Sequence, residues 1–155
     1  MRNLLSGSGR RVWLPGGERV ALRAAGPRDR AAVSALYALC APQPQPGRRA
    51  ACAWLLSPRM GRGLLAEAAG RRPVAWAGLL SDGTGAELLL LIAPAWWRRG
   101  LAGVLLPELL CRAGRFGIAE VWAHGASGDA LEAAARRLAL PVTADADRTG
   151  VTLRG

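Results

Sequence analysis

The strongest constraint on the fold is an unbroken apolar run that ends at a proline and leads directly into a helical pattern. The run is AELLLLI at 86–92, and Pro94 follows it. Apolar residues at consecutive positions predict a strand that is buried on both faces of a sheet. The segment 98–115 then has apolar residues at helical spacing, with Pro107 expected to kink the helix. A further strand is predicted at 117–125, and such a β-α-β unit requires a parallel strand pair.

Turn residues and periodicity predict the remaining elements of the chain. A Pro-Gly-Gly turn joins two strands within 11–25, and helical spacing follows in 26–40. Two strands, 63–69 and 73–80, form an antiparallel meander with the apolar run. The other predicted elements are a proline-rich loop at 41–47, a short helix at 48–57, a helix at 128–140 with Asp129 as its N-cap residue, and a strand pair within 141–155.

This order of elements indicates an α/β (α+β) fold with one mixed sheet. The length of 155 residues suits one domain with a substantial hydrophobic core. We predict that 1–18 form an N-terminal extension or an extra strand, and that 19–155 form the domain itself. No apolar stretch reaches the roughly 18 residues of a membrane span, and the first residues lack the apolar segment of a signal peptide.

The cysteines indicate a reduced, cytoplasmic protein. Cys40, Cys52 and Cys111 are odd in number and widely spaced, and no CxxC pair occurs. A single histidine, His124, cannot complete a zinc site by itself, so no metal is expected. Cys111 lies among apolar residues of the predicted helix 98–115 and is expected to be a core thiol rather than a nucleophile.

The chain is strongly basic, with a formal net charge of +10, and all of its basic residues are arginines. A basic surface can attract nucleic acid or an anionic cofactor. The arginines are scattered in pairs and form no stripe, which favours a solvated basic surface over a nucleic-acid interface. The nucleic-acid alternative predicts an affinity that falls steeply with salt.

The passage from the apolar strand into the helix has the composition of an anion-binding turn. A helix leaves about four backbone N–H groups free at its start, and the helix dipole adds partial positive charge there. Gly100, Ala102 and Gly103 leave room for a phosphate to approach the backbone, and Arg98 and Arg99 add charge at the same place. The sequence therefore predicts a phosphate cradle at the end of the central strand.

The segment 86–106 resembles the acyl-CoA-binding motif of the GNAT superfamily of N-acetyltransferases. That motif reads (Gln/Arg)-x-x-Gly-x-(Gly/Ala) after an apolar-x-Pro step, and WRRGLA at 97–102 follows IAP at 92–94. The order of elements over 19–154 is also similar. The resemblance implies a mixed, mostly antiparallel sheet with a central splayed parallel strand pair and helices on both faces. Within the superfamily, 121–140 is similar to part of the amino-terminal half of mycothiol synthase, a tandem of two such domains.

The resemblance implies acetyl-CoA as cosubstrate and direct transfer of an acetyl group to an amine. The diphosphate would lie on the backbone of the cradle, the pantetheine arm would pair with the end of the central strand, and the N–H near Ile92 would polarise the thioester carbonyl. The cofactor-binding residues implied are Leu91, Ile92, Ala93, Trp97, Arg98, Arg99, Gly100, Leu101, Ala102 and Gly103. On this basis Gly100→Glu should abolish cofactor binding. The acceptor is an unidentified amine, and a homodimer is left open.

Three positions depart from the family pattern. Trp97 stands where the motif has Gln or Arg. Ala135 stands at the position of a tyrosine that protonates the departing thiolate, and Gly128 stands at that of an asparagine, while the one tyrosine of the chain, Tyr37, lies in the first predicted helix. These departures motivate an alternative of another class, a catalytically degenerate domain that binds acetyl-CoA or a partner as a sensor or assembly module.

Two side chains are candidates for the general base. Glu87 begins the central strand, and its alternative role is that of an exposed carboxylate at a strand start. His124 ends the following strand, and histidine is the residue type most often used for proton transfer near neutral pH. Its alternative role is to cap the next loop by a hydrogen bond. Asp129 is a further candidate for contact with the amine, and Trp96 and Trp97 could line the cleft or serve packing alone.

Overall fold

The computed structural model describes residues 9–40, 63–81 and 85–153. The described residues form eight strands and three α-helices, with single 3₁₀ turns at Pro27–Asp29, Ala69–Arg71 and Pro94–Trp96. The strands are β1 (Arg10–Trp13), β2 (Arg19–Ala24), β3 (Gly63–Ala68), β4 (Arg72–Ser81), β5 (Gly85–Ile92), β6 (Glu120–His124), β7 (Val142–Ala144) and β8 (Arg148–Thr152). The helices are α1 (Arg30–Cys40), α2 (Leu101–Arg115) and α3 (Gly125–Arg137).

All eight strands belong to one sheet in the order β1-β2-β3-β4-β5-β6-β8-β7. Every neighbouring pair is antiparallel except β5 and β6, which are parallel and are connected through α2. The structure thus confirms the predicted meander, the β-α-β unit and the mostly antiparallel mixed sheet. The predicted loop at 41–47, the short helix at 48–57 and Cys52 lie outside the described residues.

Helices cover both faces of the sheet because side chains alternate along each strand. On β5, Leu88 joins the core beneath α2 and α3, which includes Leu105 and Leu131, whereas Leu89 joins the core beneath α1, which includes Leu36. The predicted arrangement of helices on both faces is therefore confirmed. No helix in the described part of the chain is long and apolar enough to cross a membrane.

The most deeply buried strand is β4 rather than β5. Six consecutive residues of β4, 74–79, are buried, whereas the end of β5, 90–92, is only half-buried. The prediction that the apolar run is buried on both faces is therefore wrong for its carboxyl-terminal part. The physical reason is that β6 stops pairing with β5 before β5 ends.

Both helices that follow the parallel strands begin at places other than those predicted. α2 begins at Leu101 instead of residue 98 because Arg98 and Gly100 have φ angles of +61° and +90°, which no α-helix contains. α3 begins directly after β6, with His124 as its N-cap residue, so Asp129 lies inside the helix and its prediction as N-cap residue is wrong. Cys111 is exposed rather than buried, because Leu109, Leu110 and Ala113 form the core-facing stripe of α2.

Candidate functional site

The parallel strands separate along their length and leave a gap in the centre of the sheet. The ladder joins Gly85 to Glu120, Ala86 to Val121 and Glu87 to Trp122, and no further pair forms between these two strands. β5 nevertheless continues to Ile92 and β6 to His124. The carboxyl-terminal half of β5 therefore has a paired neighbour on one side only, and its other edge is available to a ligand.

Alternation of hydrogen bonds decides which backbone groups of β5 face this gap. The N–H of Ala93 donates to Val74 O of β4 at 2.9 Å. In an antiparallel ladder alternate residues point to the same neighbour, so Leu91 also faces β4, whereas Leu90 and Ile92 face the gap. Of the three strand residues predicted to pair with the cofactor arm, only Ile92 has this orientation. Leu90 was missed, although the period of two along a strand would have found it.

The carbonyl of Ile92 already has two hydrogen-bond donors from the protein. The indole N–H of Trp97 donates to it at 2.9 Å, and the thiol of Cys40 does so at 3.1 Å. Burial raises the pKa of the Cys40 thiol, which keeps it in the donating form. Because a carbonyl oxygen has two lone pairs, these donors saturate it. Among the described residues, the gap-facing groups near the end of β5 that have no protein partner are the N–H of Ile92 and both backbone groups of Leu90.

The start of α2 is an open helix N-terminus. The N-cap residue is Gly100, which offers no side-chain hydrogen bond, and the first turn contains no acidic residue. The N–H groups of Leu101, Ala102 and Gly103 therefore have no intrahelical partner and keep the positive end of the helix dipole unneutralised. This arrangement is one that binds anions.

The turn between β1 and β2 packs against the loop that precedes α2. A Cβ atom at Gly100 would lie 2.8 Å from Cδ of Pro15, and Nη1 of Arg99 forms an ion pair with Glu18 Oε1 at 3.1 Å. The Arg99 guanidinium also lies 5.0 Å from the ring centre of Trp96. Gly100 is thus required by its positive φ and by this contact. The predicted effect of Gly100→Glu would therefore include disrupted packing and would not report on a ligand alone.

Arg137, which was not among the predicted site residues, lies beside the cradle. Nη1 of Arg137, in the last turn of α3, is 3.4 Å from the carbonyl oxygen of Gly103. A Cβ atom at Gly103 would lie 3.0 Å from the same Nη1. The only sequence signal was the pair Arg136 and Arg137, one of several such pairs, and sequence alone does not show which of them meets α2.

The two candidate bases lie at different distances from the end of β5. Glu87 belongs to the paired part of the ladder, five residues before Ile92, which is about 17 Å along a strand. His124 ends β6, and extending the ladder register places it level with Leu89, about 10 Å from Ile92 along the strand direction. His124 is exposed, and its Nδ1 is 2.8 Å from Asp147 O.

Small residues stand at two positions where the family pattern has polar side chains. Ala135 is fully buried in the core beneath α3. A Cβ atom at Gly128 would lie 3.0 Å from Thr149 Oγ1 and 3.2 Å from Ala123 O, so any side chain there requires these neighbours to shift. Tyr37 is buried in the core beneath α1. The described part of the chain also brings no three potential metal ligands together.

Comparison with known proteins finds similarity in structure only. No family model and no curated protein sequence matches the chain. Among solved structures, diaminobutyrate acetyltransferase from Paenibacillus lautus, in complex with L-2,4-diaminobutyric acid and coenzyme A, has a TM-score of 0.71 at 16% identity, and the match covers 88% of this chain and 96% of that one. The GNAT domain of S. lividans PAT has a TM-score of 0.70 at 16% identity, with 94% and 97% covered.

A cAMP-binding acyltransferase from Mycobacterium smegmatis is similar over one part of its length. Its TM-score is 0.63 at 17% identity, and the match covers 96% of this chain. The chain spans 48% of that protein. Together with the splayed parallel pair, these likenesses show that the chain has the GNAT fold.

Proposed function

We propose that this chain binds acetyl-CoA and transfers the acetyl group directly to an amine. The observation that carries the proposal is the open N-terminus of α2 at the carboxyl end of a strand that has lost its parallel neighbour. An anionic diphosphate suits the first, and an extended amide-containing arm suits the second. The bound coenzyme A in the structurally similar Paenibacillus enzyme supports the same choice of ligand.

The residues present fit the diphosphate and the arm of such a ligand. Gly103 has no side chain to cover the first turn of α2, and Leu101 and Ala102 offer backbone N–H groups beside it. The backbone of Leu90 would pair with the arm, which leaves the N–H of Ile92 for the thioester, while Leu91 and Ala93 would support β5 from the β4 side. Trp97 holds the end of β5 through the Ile92 carbonyl.

Acetyl-CoA would supply the thioester whose acyl group is transferred. The Ile92 N–H would stabilise negative charge on the thioester oxygen during attack. His124 is the better placed of the two candidate bases, because it lies at the gap end of β6. With Ala135 at the tyrosine position, no phenol on α3 can protonate the leaving thiolate, so the proton would come from solvent. We therefore expect slow turnover.

A second candidate function is cofactor binding without turnover, as a sensor or an assembly module. The buried Ala135 and the closely packed Gly128 favour it, because neither residue has the polar side chain of the family pattern. Release of free thiol in the presence of a panel of amines separates the two functions: transfer releases CoA, and a binding module does not. The acceptor amine, a cytoplasmic location, a homodimer and the likeness to mycothiol synthase all remain sequence-based predictions.

The proposal is tested by calorimetric titration with acetyl-CoA, using Gly103→Glu as the decisive variant. A glutamate in the first turn favours the helix through its dipole, yet it places a side chain and a negative charge where the diphosphate would lie. We expect micromolar binding to the natural sequence and a loss of at least about 100-fold in the variant, at unchanged helical content.

Gly114→Glu is the matched control. Gly114 lies on the same helix, and no atom of the described residues outside that local stretch of helix lies within 4 Å of its Cβ position, so the same charge is added away from the cradle. Its acetyl-CoA affinity should stay within about twofold of the natural sequence. Absence of binding to the natural sequence at about 1 mM ligand, or equal losses in both variants, would contradict the proposed site.

A further inference from the structure

We propose that Arg137 of α3 is a side chain that binds the diphosphate at the start of α2, and that Arg99 holds the loop instead. This inference rests on the proposed function. Of the two arginines in the motif, Arg98 and Arg99, it gives Arg99 a structural role. The ligand is recognised across two helices, with backbone N–H groups from α2 and a guanidinium from α3.

Arg99 is already engaged by the protein. Its Nη1 pairs with Glu18 Oε1 at 3.1 Å, and its guanidinium lies 5.0 Å from the ring centre of Trp96. Oε2 of Glu18 is buried beside Gly16 and accepts no hydrogen bond from the described residues, so Arg99 is the cationic partner of this carboxylate there. Arg99 thus ties the loop to that turn, and its charge is neutralised by a carboxylate.

Arg137 is charged and has no acidic partner among the described residues. Its one protein contact there is a long hydrogen bond of 3.4 Å to the Gly103 carbonyl, which leaves most of its five N–H donors free. Arg136, the next residue toward the amino terminus, differs in that it pairs with Glu132 one helical turn away. Two adjacent arginines on one helix therefore differ in whether their charge is balanced.

Arg137 lies between two helix ends of opposite polarity. It belongs to the last turn of α3, where the helix dipole is negative and favours a cation, and it donates to the Gly103 carbonyl, which has no helical N–H partner because the residue four positions on is Pro107. The guanidinium lies beside Gly103, in the first turn of α2, where the helix dipole is positive and no acidic residue is present. An anion there interacts favourably both with the dipole of α2 and with the guanidinium, provided that it reaches both. A diphosphate meets this requirement because it can accept hydrogen bonds from the backbone and from the guanidinium together.

The test compares Arg137→Gln, Arg137→Lys and the matched control Arg136→Gln in CoA titrations at two salt concentrations. Arg137→Gln should weaken CoA binding about tenfold and make it less sensitive to salt, and Arg137→Lys should recover part of the loss. Arg136→Gln should stay within about twofold of the natural sequence. Without ligand, Arg137→Gln should melt close to the natural sequence, because its hydrogen bond of 3.4 Å to the Gly103 carbonyl is long and exposed.

Each other outcome overturns the inference in a distinguishable way. Unchanged CoA affinity in Arg137→Gln, while the natural sequence binds CoA, removes Arg137 from the site and leaves the proposed function standing. An equal loss in Arg136→Gln reduces the effect to overall charge. A lower melting temperature of Arg137→Gln without ligand makes Arg137 a structural tie between α2 and α3. No CoA binding to the natural sequence removes the proposed function and this inference with it.

Discussion

The arginines of two regions of the molecule differ in whether a carboxylate balances their charge. At the end of β2, Arg23 donates to both carboxylate oxygens of Asp29, at 3.0 and 2.6 Å, and to Glu67 of β3 at 2.9 Å. At the start of α2, Arg98 and Arg137 have no carboxylate partner among the described residues. We call the first region the Arg23 cluster, and the second is the cradle described above. The first joins β2, β3 and the start of α1, and the second holds charge that the protein leaves unbalanced.

The difference between the two regions separates structural arginines from ligand-binding ones. Burying a charge is costly unless it is paired, and the Arg23 cluster satisfies this because Asp29 is only 7% exposed and its Oδ2 also accepts the Gly26 N–H. Charges at the cradle stay at the surface, where solvent compensates for the absence of a partner. We therefore expect changes in the Arg23 cluster to alter stability, and changes at the cradle to alter binding.

The largest stability effect should come from Asp29→Asn in the Arg23 cluster. The change leaves Glu67 as the one anionic partner of Arg23 among the described residues. It also replaces one of the two acceptor oxygens at the start of α1 by an NH₂ group, which cannot accept from Arg23 or from the Gly26 N–H. We expect a loss of about 3 kcal/mol in the free energy of unfolding, at the low end for breaking a buried pair because Arg23 is partly exposed. Urea denaturation measures it, and the CoA affinity of the folded variant should be unchanged. Normal stability with weakened CoA binding would reverse the assignment of the two regions.

The same pair gives stability a pH dependence of known sign. The hydrogen bond from Arg23 lowers the pKa of Asp29, and the Gly26 N–H acts in the same direction. The stabilisation is therefore complete above the unfolded-state pKa of about 3.9 and is lost as the pH falls through the lower folded-state value. The stability difference between the natural sequence and Asp29→Asn should be constant near neutral pH and should shrink below about pH 4.

A smaller effect is expected from Gly100→Ala, at the border of the cradle. Alanine at a φ of +90° is strained, and its Cβ would lie 2.8 Å from Pro15 Cδ. Gly17→Ala is the matched control, because Gly17 has a φ of +92° and no atom lies within 4 Å of its Cβ position. We expect losses of about 2 kcal/mol for Gly100→Ala and about 1 kcal/mol for Gly17→Ala in thermal denaturation. Equal losses would show that the contact with Pro15 adds nothing.

Sequence periodicity predicted the architecture because each element has its own local pattern. The alternation of buried residues, the turn residues and the helical spacing of Leu101, Leu105 and Leu109 all come from neighbours in the chain. Boundaries were less accurate where the conformation of one residue decides them. The positive φ of Arg98 delays α2, and residues 125–128, although rich in small residues, are helical directly after β6.

The candidate site was predictable in its backbone and not in its side chains. The resemblance of 86–106 to the acyl-CoA-binding motif implied the splayed pair, and that motif includes Ile92 and Gly103. The partners of each arginine depend on contacts across the fold. Glu18 is 81 residues from Arg99, and Gly103 is 34 residues from Arg137, and no local pattern links such residues. The composition, with arginine as the only basic residue type, made all of these cations look alike.

Glu18→Gln should have the smallest effect, and it tests the comparison most directly. It leaves Arg99, in the loop before α2, without its carboxylate partner. The ion pair of Glu18 with Arg99 is partly exposed, so its loss should cost less than about 1 kcal/mol of stability. The freed charge of Arg99 lies next to the cradle, so CoA binding should strengthen about twofold and become more sensitive to salt. Glu108 lies farther along α2 and pairs with Arg10 of β1 and Arg112 of α2. Glu108→Gln is the control and should leave CoA binding unchanged. Weaker CoA binding by Glu18→Gln would mean that the ion pair with Arg99 supports binding by holding the loop in place. In that case, whether an arginine is paired with a carboxylate would not by itself distinguish structural from ligand-binding arginines.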